Sequence, residues 1–232
     1  MNTVDLLKAV NFLNFECGKV AKSTGNGIFL DEALNIAPSD CWRYALMSSA
    51  PETDDTDFTM ARFADVVNKD LNGMLGNFVS RVCKLSAKNF GDIVPNGDGI
   101  DEDLANRIDE KLSDLTNAME KCEFRDSVFA LRSLWAIANE YMTVKEPWAL
   151  VKNGDTNGAA RALNECFQMI DLFARISAPF IPDAAEKMQN IFENKHDLSW
   201  PTKYEHRIKT NEKFVVPENL FNRIELAEKE DK

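Results

Sequence analysis

The stretch FTMARFADVVNKDLNGMLGNFVSRVCKL, residues 58–85, decides how the rest of the chain is read. Met60, Phe63, Val67, Leu71, Met74 or Leu75, Phe78, Val82 and Leu85 recur at spacings of three and four, the apolar stripe of one long helix. Gly73 and Gly76 lie inside it, so a weak point or a close approach is expected there. Downstream, Pro95-Asn96-Gly97-Asp98-Gly99 is a turn-rich loop, and Asp101 is placed to cap the next helix. Leu104, Ile108, Leu112, Leu115 and Met119 define that helix; Phe124, Val128, Leu131, Trp135, Ala138 and Met142 define another. A further stripe runs through Ala159, Leu163, Phe167, Ile170 and Phe173 before Pro179 and Pro182 interrupt it. These stripes predict an all-α helix bundle in which Trp135 is core.

Upstream the texture changes. Residues 1–57 are short and broken: Asn11-Phe12-Leu13-Asn14-Phe15, a Gly/Lys/Ser loop from Gly18 to Gly27, then helical pieces over Asp31 to Asn35 and Ser39 to Met47, with Ser39 as N-cap after Pro38. The chain therefore divides into a mixed connective region, 1–57, and a helical region, 58–232, with strands at most marginal. Trp200 to Val216 alternates less clearly, and Glu225 to Lys232 reads as a frayed, charged terminus. No internal repeat is visible.

With 232 residues, 44% of them hydrophobic, the chain can bury a good core, which excludes a disordered protein. No apolar run reaches the roughly 20 residues of a membrane span, and the first residues form neither a basic leader nor a signal core, so the reading is cytoplasmic, without a membrane partner. Cys17, Cys41, Cys83, Cys122 and Cys166 are odd in number and include no CxxC pair. Buried free thiols are expected, rather than disulfides or a metal site. His196 and His206 lie far apart and read as surface residues.

A net charge of -11 argues against indiscriminate coating of nucleic acid. One local exception exists. Between Asp70 and Asp92 there is no acidic residue, and that window carries Arg81, Lys84 and Lys88. An ordinary solvated helix face is the equal alternative.

The residues richest in chemistry are Gly18-Lys19-Val20-Ala21-Lys22-Ser23-Thr24-Gly25-Asn26-Gly27. Two lysines three apart on a Gly-flanked loop can both turn toward a polyphosphate and stabilise the charge that develops as pyrophosphate leaves. Taken alone, the same residues describe a flexible surface loop.

Phe12-Leu13-Asn14-Phe15-Glu16 before the lysines, Gly25-Asn26 after Ser23, and Trp42-Arg43-Tyr44 downstream resemble the second signature loop of class I aminoacyl-tRNA synthetases, K-M-S-K-S. The resemblance is nearest to methionyl-tRNA synthetases. There the loop is followed by an Asp-rich connector, here Ser48 to Phe58, and by a long helix carrying G-N-x-x-x-R, here Gly76-Asn77-Phe78-Val79-Ser80-Arg81. Asn139-Glu140-Tyr141 and Lys145-Glu146-Pro147-Trp148 are similar to the family's later motif. Pro147 suits the first turn of a helix and would hold Trp148 at a rigid junction.

The resemblance implies a bundle of the class I synthetase anticodon-binding type. It implies phosphate-stabilising Lys19, Lys22 and Ser23 in the catalytic part, with Asn77, Arg81 and Trp148 as RNA-binding readers of the CAU anticodon. The implied partners are methionine-accepting tRNA through its anticodon loop, L-methionine and ATP with Mg2+ in the full-length enzyme, and not DNA. The family's nucleotide-binding domain, its H-I-G-H signature, its methionine pocket and its zinc knuckle would all precede residue 1. The isolated chain is accordingly expected to hold no cofactor and to be inactive. Val20 and Ala21 depart from the Met and Ser of the loop, Cys17 replaces a second glycine, and Val10-Asn11 stands where His-Gly is usual. Two alternatives remain: another class I synthetase (cysteinyl, leucyl, isoleucyl or valyl), and a non-catalytic helical module whose acidic surface binds protein.

Overall fold

The computed structural model describes residues 7–97 and 99–226. Asp98 of the turn-rich loop and most of the run read as a frayed terminus, residues 227–232, lie outside them. Strand β1 (Leu13–Phe15) turns through Glu16 and Cys17, at φ 49° and 63°, into β2 (Gly18–Lys19). The pair is antiparallel, with Asn14 opposite Lys19 and Phe15 opposite Gly18. After a 3-10 turn at Lys22–Thr24 come α1 (Leu30–Ile36) and α2 (Ser39–Ser48). Strand β3 (Thr56–Phe58) then returns parallel to β1, giving a mixed sheet in the order β2-β1-β3. The structure is thus mostly helical, and the sheet is a small addition to the all-α expectation.

Ser39 is the first residue of α2, not its cap. Pro38 occupies the cap position, and the Ser39 hydroxyl instead bonds the Asp183 carboxylate at 3.3 Å. Placed one residue inside the helix, the Ser39 hydroxyl cannot reach back to cap the first turn.

From Thr59, whose hydroxyl accepts the Arg62 N–H, helical backbone runs unbroken through α3 (Met60–Val66), a π-helical stretch (Val67–Gly76) and α4 (Asn77–Phe90). The expected weak point at Gly73 and Gly76 is therefore a widening. A Cβ on Gly73 would lie 2.9 Å from the carbonyl oxygen of Asn68, and one on Gly76 3.2 Å from that of Leu71, each five residues back. Glycine admits the close approach that the wide turn requires.

Asp101 caps α5 (Glu102–Glu120) as the sequence indicates, accepting the Leu104 N–H at 3.2 Å. α6 (Phe124–Lys145) follows, then α7 (Pro147–Lys152) with Pro147 in its first turn, α8 (Thr156–Ser177) and α9 (Pro182–Gln189). Helix α8 is the axis of the fold: every residue from 162 to 177 is buried. Trp135 on α6 is fully buried, its ring 5.6 Å from that of Tyr44 on α2.

α8 carries polar side chains into this core, and they explain the unclear pattern at residues 204–208, within the run 200–216. Gln168 accepts the N–H groups of Arg207 and Ile208 and donates to the Ile208 carbonyl. Asn164 donates to the Pro95 carbonyl at 2.7 Å, and Glu165 accepts the Tyr204 hydroxyl at 2.7 Å. Backbone satisfied by side chains needs no strand periodicity. This segment also overturns the reading of the histidines. His206 pairs with Glu165 of α8 at 3.0 Å and His196 with the buried Glu212 at 3.2 Å, and both rings are half-buried. The thiols divide similarly: Cys41, Cys83 and Cys166 are buried, but Cys17 is exposed and Cys122 partly so, because both sit in turns at positive φ.

Candidate nucleic-acid interface

Once past the π-helical stretch, α4 turns one face outward. Asn77, Lys84 and Lys88 on it are exposed and Arg81 is half-buried, so the strip read between Asp70 and Asp92 is one continuous surface row. Among the described residues none of these cations pairs with a carboxylate. Desolvating Arg81 without a counter-charge is tolerable because its guanidinium lies 5.3 Å from the centre of the Trp148 ring.

Trp148 arrives there by a sharp junction. Helix α6 ends at Glu146 in the left-handed region, φ 43°, which redirects the chain at once into Pro147, buried at the head of α7. Trp148, next in line, keeps 37% of its surface exposed. Lys145 is held back by Asp101 at 2.9 Å and lies over the Tyr141 ring. Its hydrogen bond keeps the Asp101 carboxyl below the ordinary carboxylate range. A cavity of about 370 Å³ opens behind α7, lined by Tyr141, Lys145, Leu150, Arg161 and Glu165. Its charged groups are already paired within the protein.

The lysine loop forms a second, separate cluster. Lys19, Lys22 and Ser23 are all exposed, and neither lysine meets a carboxylate among the described residues. The loop is closed on itself rather than slack. Asn26 donates from its amide to the carbonyls of Phe15 and Lys19, each at 3.0 Å, while its own carbonyl accepts the Ala21 N–H. Cys17, standing where the resemblance expects glycine, sits at φ 63° with its N–H on Asp57 at 2.8 Å. Two free ammonium groups on a pinned loop form a donor set that fits a polyphosphate.

Around this loop lies an apolar groove of about 430 Å³ whose lining includes Leu13, Leu34, Trp42 and Leu46. Phe12, Val20, Phe29 and Leu30 are exposed at 72%, 61%, 56% and 74%. An exposed apolar patch of this kind marks an interaction surface.

Sequence reasoning missed the groups that brace the two clusters. Asp70, buried in the π-helical stretch, accepts the Tyr44 hydroxyl from α2 at 3.2 Å and Arg132 Nε from α6 at 2.8 Å. Burial and Asp70 together hold the Tyr44 phenol well above its ordinary value. Asn139 on α6 donates to the Met74 carbonyl at 3.2 Å. Only a buried acid in the middle of an apolar stripe hinted at such a network.

Residues 94–232 match the family described as the anticodon binding domain of methionyl tRNA ligase, and residues 1–83 match the class I tRNA synthetases (M). A methionine–tRNA ligase of Caulobacter sp. K31 is 43% identical over 203 residues, covering 86% of this chain and 36% of that protein. One from Jannaschia sp. CCS1 is 39% identical over 235 residues, covering 98% and 40%. The chain spans about 40% of the length of such relatives. In fold it is similar to Mycobacterium tuberculosis methionyl-tRNA synthetase, solved with methionyl-adenylate, at a TM-score of 0.83 and 23% identity, over 93% of this chain and 43% of that one.

Proposed function

The chain belongs to the methionyl-tRNA ligase family, and on that premise we propose that residues 58–232 are a bundle of the anticodon-binding type, reading CAU on a methionine-accepting tRNA. Residues 1–57 would close the catalytic part of the whole enzyme, which attaches methionine to tRNA using ATP and Mg2+ in the cytoplasm. β3 straddles that division, so the two parts share a sheet edge.

The observation that carries this reading is the meeting of Arg81 with Trp148 one helical turn beyond Asn77. An unpaired base can stack on the open part of the indole, for about 1–3 kcal/mol with little base preference. Arg81 and Asn77 supply the preference: the guanidinium is a planar fork of donors, and the amide offers both a donor and an acceptor to a base edge. In the loop, Lys19 and Lys22 would stabilise charge on the departing pyrophosphate, with Ser23 as a further donor. The apolar groove beside the loop is the face that the remainder of such an enzyme would cover, and the chain alone would lack the fold that holds its substrates.

Filter binding tests the proposal. A stem-loop with the CAU anticodon should bind more tightly than one with another anticodon. Trp148→Ala and Arg81→Ala should each weaken the CAU complex about tenfold to a hundredfold, in line with about 1–3 kcal/mol. Equal binding of the two RNAs would remove the anticodon assignment.

A further inference from the structure

Phe63, Val67, Leu71, Leu75, Val79 and Cys83 are all 0% exposed, and they fall at every fourth position. An α-helix turns about 100° per residue, so each step of four drifts roughly 40° beyond a full turn. Five such steps amount to roughly 200°, which would carry Cys83 to the side of the helix opposite Phe63. In a single straight α-helix this row would wind from one side of the helix to the other. The π-helical stretch takes up the drift over its own two steps, Val67 to Leu71 to Leu75, because its wider turns carry more residues: the Asn77 N–H reaches the Asn72 carbonyl, five back, as well as that of Met74.

The outer row is brought into line by the same device. Asp65, Lys69, Gly73 and Asn77 are exposed at the same spacing, and Arg81 follows half-buried against Trp148. The end of the stretch is tied to the helix that delivers Trp148. Asn139, on α6, bridges the Met74 carbonyl at 3.2 Å and its own Trp135 carbonyl at 2.9 Å, and Lys145, Glu146 and Pro147 lead from α6 to the indole. From the other side Asn68 clasps Ile224, donating to its carbonyl and accepting its N–H at 2.9 and 2.8 Å.

We infer that the π-helical stretch Val67–Gly76 is a register device setting the rotation at which α4 presents Asn77 and Arg81, with Asn139 as the positioning residue that locks this rotation to Trp148. Asn139 touches no RNA in this scheme; it acts through Arg81. The inference deepens the anticodon-reading proposal and rests on it for its RNA arm, but its structural arm stands without RNA.

Two variants of the 232-residue chain test it: Asn139→Ala, which removes the tie, and Gly73→Ala, whose Cβ would press on the Asn68 carbonyl and shift the wide turn. The chain's four tryptophans give indole N–H resonances after 15N labelling, and Arg81→Ala identifies that of Trp148 by moving it. Both variants should move the Trp148 resonance while those of Trp42 and Trp200 stay in place. Preference for CAU over another anticodon should fall at least tenfold in each, and no further when Asn139→Ala is combined with Arg81→Ala, since the two act through one contact. An unmoved Trp148 resonance overturns the inference. So does movement of Trp42 and Trp200 along with it, the mark of general loosening, or an additive loss in the double variant. Should the parent chain bind both RNAs equally, the anticodon reading fails while the indole arm still decides the register.

Discussion

Helices α1 and α8 have comparable apolar content and opposite fates. α8 has residues 162–177 buried on every side, whereas α1 has no buried residue and leaves Leu30, Leu34 and Ile36 exposed at 74%, 48% and 42%. The bundle has a complete core of its own around α8. The sheet-bearing region around α1 does not, and its exposed leucines belong to an apolar surface patch. Stability should accordingly concentrate in one region and association in the other.

The largest effect should come from Phe167→Ala. This fully buried ring packs 4.7 Å from Phe214 by centroid, and its truncation should cost about 3–5 kcal/mol in chemical denaturation. A cost below 1 kcal/mol would break the contrast.

An intermediate effect is expected at the seam. Asp40 on α2 is 2% exposed and accepts the N–H of Ala184 at 2.8 Å, so it joins the sheet-bearing region to the start of α9. Burial lifts its carboxyl above the ordinary 3.8, partly offset by the N–H groups of Ala184 and Asp183. The fold therefore binds this proton more tightly than the unfolded chain does. Stabilisation linked to it is fully present below 3.8 and is lost as pH rises through the raised value. Tm measured from pH 3.8 upward should fall relative to that of Asp40→Asn, which cannot titrate, and the difference should then level off. A constant difference across that window would mean the seam is not titrating.

Smallest of all should be Leu34→Ser in α1, within about 0.5 kcal/mol of the parent. A loss of 2 kcal/mol or more would show that α1 is already supported from within the chain and would erase the comparison.

Much of the architecture was legible because it is local. Asp101 as a cap, Pro147 at the head of α7 and the stripes of α5, α6 and α8 follow from residue types at fixed offsets. The long helix was legible as a helix but not as a partly π one. A template of threes and fours fits Phe63, Val67, Leu71 and Leu75 as well as it fits an α stripe, and the wider turn shows only in the backbone of residues 67–76. Of the six residues singled out for function, the structure places Arg81 against Trp148 with Asn77 on the same face, and sets Lys19, Lys22 and Ser23 in a separate loop. Asp70, Tyr44, Arg132 and Asn139, which tie these regions together, were illegible because their partners are many residues away in the chain. His196 and His206 were misread as surface groups for the same reason.

The motifs and their order along the chain pointed to the family, and residues within a turn or two of one another set the helical character and the identity of the exposed cations. Tertiary structure alone decided which way α4 faces, which carboxylates meet which hydroxyls, and that residues 204–208 lie on side chains of α8. Those outcomes depend on contacts between distant segments, and their energies exist only once the segments have packed.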